Sequence, residues 1–194
     1  MVKRLIFILT TVFCCSFLKG QTKNFIGFSV SFGHKSNYSF AGIAGQARLF
    51  NHLDLDFGGS YSFFNGYGYS GGISFIPLNT NLRPLLGFAY GKSFGVKKYD
   101  ITEGETKTSY YKTSPVDYIY TRAGFVYEVE DFEGQRSANS PMFFVFALTY
   151  RKAISDYRIT LVDGPGYKDE EFLNSKMEDG IGFSISCILL FGGN

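Results

Sequence analysis

Along Leu53 to Phe64 the chain alternates with period two: Leu53, Leu55, Phe57, Gly59, Tyr61 and Phe63 share one parity, while Asp54, Asp56, Gly58, Ser60 and Ser62 share the other. A helix repeats every 3.6 residues and cannot produce this, so the segment reads as a strand with one apolar face. The alternation returns at Tyr67 to Phe75, at Met142 to Tyr150, and near the end of the chain, where Ile181, Phe183, Ile185, Cys187, Leu189 and Phe191 oppose Gly182, Ser184 and Ser186. Less regular versions run from Phe25 to Phe32, Tyr38 to Phe50, Leu85 to Val96 and Tyr118 to Val129. The expectation is eight strands in one all-β domain.

Connection lengths suggest how the strands are joined. Asn51-His52 and Pro77 to Pro84 are short, whereas Lys97 to Asp117 and Lys152 to Glu178 are long. His34 to Asn37 and Asn65-Gly66 are short connections on the long side, and Glu130 to Ser140 is long for the short side. An antiparallel up-and-down meander fits this order, and closing it into a barrel removes the unpaired edges of an aromatic-rich sheet.

Composition narrows the class. With 22 Phe, 14 Tyr, 23 Gly and no Trp, and with 19% charged residues, the chain is too apolar for disorder and too rich in Gly and aromatics for a helical bundle. The formal net charge of +2 comes without a basic cluster, so there is no electrostatic footprint for a nucleic acid. Residues 1–20 read as a secretory signal peptide, with Lys3 and Arg4 ahead of the uncharged run Leu5 to Leu18. That run is shorter than the roughly 20 residues a spanning helix needs. Cleavage would remove Cys14 and Cys15, leaving Cys187 as a single thiol, and would bring the mature net charge to −1.

Together these residues resemble the small eight-stranded outer-membrane β-barrels of Gram-negative bacteria, and the leader followed by Gln21 is similar to a Bacteroidota type. The resemblance spans 21–194 and rests on strand pattern and order. It implies an eight-stranded antiparallel up-and-down transmembrane β-barrel, inserted by the barrel assembly machinery and surrounded by outer-membrane lipid and lipopolysaccharide. Such barrels often end on a terminal aromatic, whereas here Phe191 is followed by Gly192-Gly193-Asn194. The competing architecture is a soluble ligand-binding barrel, which has the same strand count but keeps its apolar side chains inside. Bulk separates the two: an eight-stranded interior is narrow, so the parity rich in Gly, Ser and Ala suits the inside and the Phe-, Tyr-, Ile- and Leu-rich parity the outside.

That orientation sends Gln46, Arg48, Asp54, Asp56, Arg122, Glu128 and Arg151 into the lumen. Buried charges are tolerated when they pair, so the expected arrangement has Arg48, Arg122 and Arg151 neutralising Asp54, Asp56 and Glu128. A narrow ion path, or a divalent cation held by Asp54 and Asp56, are the functional alternatives. Tyr38, Tyr61, Tyr67, Tyr69, Tyr90, Tyr118, Tyr127 and Tyr150 lie toward segment ends, where an aromatic girdle would sit.

No catalytic, cofactor or metal site emerges. Gly66-Tyr67-Gly68-Tyr69-Ser70-Gly71 matches the dinucleotide fingerprint in letters but opens a strand, not a helix. His34-Lys35-Ser36-Asn37 is similar to the catalytic string of lipid A deacylases, which would make His34 the general base and Ser36 the nucleophile. In that family the string lies late in the chain, whereas here it follows the first strand. The reading is a non-enzymatic barrel with a structural or surface-binding role, meeting an extracellular partner through loops 97–117 and 152–178. The alternatives are a lipid A acyl-ester hydrolase and the soluble ligand-binding barrel.

Overall fold

A computed structural model describes residues 25–38, 40–49, 52–63, 65–77, 80, 82–103, 107–129, 142–164 and 178–192. The expected signal segment 1–20 and the connection 130–141 lie outside them. Every regular element among the described residues is a strand.

Eight strands form one closed barrel: β1 (Phe25–His34), β2 (Ala41–Leu49), β3 (Leu53–Ser62), β4 (Gly66–Phe75), β5 (Leu82–Ser93), β8 (Val116–Glu128), β9 (Met142–Ala153) and β11 (Gly180–Gly192). Each pairs antiparallel with its neighbour along the chain, and β1 closes the cylinder against β11 from Phe25↔Gly192 to His34↔Phe183. Closure leaves no barrel strand with a free edge. The all-β, eight-stranded up-and-down expectation is met.

Two connections differ from the loops expected. The stretch 97–117 holds a hairpin, β6 (Tyr99–Glu103) and β7 (Lys107–Thr113), and β10 (Ile159–Asp163) from the last connection pairs with β7. The result is a second sheet of order β10-β7-β6 at the long-connection end. Backbone bonds tie it down, Thr113 donating to Val96 (3.0 Å) and Ser114 to Arg158 (3.0 Å). Gly95, at φ 76°, makes the turn out of the barrel, because a Cβ there would collide with the Thr113 carbonyl.

Side chains divide by parity as bulk demands. Outward positions include Phe57 (67% exposed), Leu148 (65%) and Ile181 (74%), while Ser29, Ser31, Ala44, Ser74 and Ala89 are buried inside. One end departs from this rule. Toward the short turns the interior is filled by Phe25, Ile76, Leu85, Val126, Phe143, Val145, Ile188 and Leu190. The inward parity is therefore small only in the middle and outer parts of the barrel, and a packed apolar cluster closes the other end.

Candidate functional site

The charged lumen is the most organised polar feature. Arg48 and Asp54 are opposite each other on β2 and β3, and the guanidinium grips the carboxylate through Nε (2.6 Å) and Nη2 (2.7 Å). Both are almost fully buried. The Phe143 ring lies 4.1 Å from the Arg48 guanidinium carbon, so one cation meets a carboxylate and an aromatic face at once.

Halfway along the barrel Asp56 collects three donors from two elements, the β1–β2 turn and β8. Tyr38 reaches over from the β1–β2 turn and donates its hydroxyl at 2.5 Å, Arg122 donates from β8 at 2.7 Å, and Asn37 approaches at 3.5 Å. Arg122 also donates to Ser74 (2.8 Å). Room for this guanidinium exists because two inward positions beside it are glycines. A Cβ on Gly72 would sit 2.7 Å from Arg122 Nη2 and 3.0 Å from Asp56 Oδ2, and one on Gly87 would be 3.1 Å from Arg122 Nε. Burial raises the Tyr38 phenol well above its ordinary value of 10.0, and the adjacent Asp56 charge pushes it further the same way.

The expected pairing of charges needs correction. Glu128 is met by none of Arg48, Arg122 and Arg151; its partner is Arg83. The expected strand began at Leu85, after Pro84, whereas β5 begins at Leu82 and carries Arg83 inward. Pro84 tolerates this place because it lies near the strand's beginning. Arg151 is buried as expected, but donates to the Glu178 carbonyl (2.9 Å) and lies 4.5 Å from the Tyr118 ring.

The tyrosine girdle also needs correction. Tyr38 and Tyr118 are 3% and 1% exposed and point inside, Tyr118 joining Tyr120, Ala89 and Val116 in a cluster. The parity that puts Arg122 in the lumen puts Tyr118 there too. Tyr61, Tyr67, Tyr90, Tyr127 and Tyr150 are exposed on the outer wall, and the Tyr69 ring lies there at a tilt against Phe57 and Phe94.

Gln46 is buried and donates to Ser29 (2.8 Å). The carboxylates of Asp54 and Asp56, weighed as cation ligands, are both engaged by guanidinium donors. The Gly-rich string 66–71 opens β4 as expected. His34 ends β1 and is exposed on the outer wall, whereas Ser36 is fully buried, its Oγ packed against Gly33 on the inner side. The wall of the barrel thus lies between the expected base and nucleophile. His52, in the turn at the opposite end, contacts the Ile76 carbonyl through Nδ1 (2.9 Å).

Comparison of the chain with protein-family models, with curated proteins and with solved structures finds no match.

Proposed function

We infer that the protein is an integral outer-membrane β-barrel without catalytic activity, serving as a structural scaffold that presents the β10-β7-β6 sheet and its neighbouring loops at the cell surface. The observation that carries this reading is the inversion of the barrel. Exposed Ile26, Ile43, Phe57, Leu86, Phe88, Phe146, Leu148 and Phe183 encircle the outer wall, while Arg48, Asp54, Asp56 and Arg83 are buried within. A soluble ligand-binding barrel has the opposite arrangement, and an apolar surface running round a whole cylinder is far more than a water-facing monomer exposes.

Strand lengths support the same reading. The barrel strands have 9 to 13 residues, enough for a tilted crossing of the hydrocarbon layer. At the long-connection rim, Phe40 and Phe63 (4.6 Å between centroids), Tyr61 and Phe63 (5.6 Å) and Tyr61 and Tyr67 (5.1 Å) make a chain of outward aromatic rings, which suits a headgroup girdle. Lipopolysaccharide and phospholipid would cover the belt between that rim and the short turns. The deciding experiment is cell fractionation combined with gel mobility before and after boiling. The protein should partition with outer membranes and change mobility on heating; recovery from the soluble fraction would overturn the proposal.

A further inference from the structure

The outer wall is uneven over β8. Its mid-strand outward residues are Thr121 and Ala123, yet their partners across the ladders are large: Phe88 and Leu86 on β5, Tyr150 and Leu148 on β9. Two small side chains between four large ones leave a trough. It is made of two adjoining hollows of about 430 and 660 Å³ that share Leu86, Ala123 and Leu148, the larger continuing past Phe146 and Phe183 toward the short turns. These volumes fall within the roughly 300 to 1,000 Å³ typical of small-molecule sites. The lining side chains are almost entirely hydrocarbon, so the trough suits an alkyl chain.

A cation stands at its outer end. Lys152 pairs with Ile119 on the same outward parity, four residues from Leu148, or about 13 Å at 3.3 Å per residue. It is exposed and has no ion pair among the described residues. Among the described acids at that rim, Asp117 accepts from Tyr90 (2.5 Å) and Lys92 (3.5 Å) and Asp179 accepts from the Ala153 amide (2.7 Å), while exposed Asp156 and Glu178 form no ion pair with Lys152. The Lys152 ammonium is therefore available to an anion, with an alkyl-shaped trough leading away from it.

We propose that the β5–β8–β9 trough holds one acyl chain of lipid A, with Lys152 contacting a phosphate of the same molecule. The assignment rests on the outer-membrane reading, which places the Lys152 end in the outer leaflet. Phosphate and acyl chain belong to one ligand, so the charge and the trough act together.

Native mass spectrometry of the protein refolded into phosphatidylcholine vesicles doped with lipid A tests this. The wild type should retain one lipid A on extraction. Ala123→Trp, which fills the trough, and Lys152→Glu should lose it, while Lys152→Arg and Ile43→Trp on the opposite wall should keep it. Equal retention by wild type and Ala123→Trp would overturn the site, as would equal retention of phosphatidylcholine or a dimer abolished by Ala123→Trp. Insertion and heat-modifiable mobility without lipid A retention would sink this site alone, whereas failure to insert would sink the outer-membrane reading with it.

Discussion

Arg48 and Asp54 face each other directly across the β2–β3 ladder, and two parallel hydrogen bonds of 2.6 and 2.7 Å join them inside the barrel. The pair is buried, so its net worth relative to two apolar residues is small, but removing one member leaves a charge without its counterion. Asp54→Ala should destabilise the barrel by about 3 to 5 kcal/mol, read from urea titrations in lipid vesicles. A loss below about 1 kcal/mol would show that Arg48 finds another route to neutralisation.

Gly72 tests the packing around Arg122. A leucine there would press on the Arg122 guanidinium, the Asp56 carboxylate and the Ala89 methyl, so Gly72→Leu should cost about 1 to 3 kcal/mol by overpacking. Outward Gly71→Leu is the comparison, since a Cβ at Gly71 meets the Phe57 ring at 3.1 Å and lies outside the ion-pair network. If Gly71→Leu proved the more damaging, the glycine would not be what makes space for Arg122.

Tyr38 should make stability fall in alkali. Its phenol is raised in the folded state, so above pH 10.0 the unfolded chain loses a proton that the folded chain keeps. The contribution is complete below pH 10.0 and is lost progressively above it. Unfolding titrations between neutral and strongly alkaline pH should show a shallower decline for Tyr38→Phe than for the wild type. Parallel curves would mean that Tyr38 does not carry the effect.

Phe57 and Phe146 sit mid-strand on the outer wall. If that wall meets hydrocarbon, Phe57→Arg or Phe146→Arg should each cost about 2 to 4 kcal/mol in a bilayer. A cost near zero would place the wall against water. Labelling of Cys187, which shares the outward parity, by a membrane-impermeant reagent in intact cells would argue the same way.

Scaffold and hydrolase part company over lipid A itself. A Ser36 nucleophile activated by His34 would act as one unit, so His34→Ala and Ser36→Ala would each abolish acyl removal. With His34 outside the wall and Ser36 inside it, we expect both variants to assemble and the lipid A mass spectrum to stay unchanged. A mass shift of one acyl chain that depends on Ser36 would establish the enzyme.

The sequence by itself determined the eight barrel strands and, along most of their length, their faces. Alternation such as Asp54-Leu55-Asp56-Phe57 allows one pleat only, and the bulk of each parity follows from how little an eight-stranded cylinder can hold. Inward Tyr118 was implied by inward Arg122, four residues on, although position near a segment end suggested a girdle. Tertiary structure alone decided which charges meet. Glu128 takes Arg83 and Asp56 takes Arg122 because register and closure bring β5 beside β8 at one level and project Arg122 across the lumen at another. The β10-β7-β6 sheet was equally hidden. Its strands are short, Lys107–Thr113 is polar at most positions, and Ile159–Asp163 pairs with β7 from far along the chain, so no local periodicity announces it. Pairing between distant segments is a property of the closed fold, which one-residue patterns do not encode.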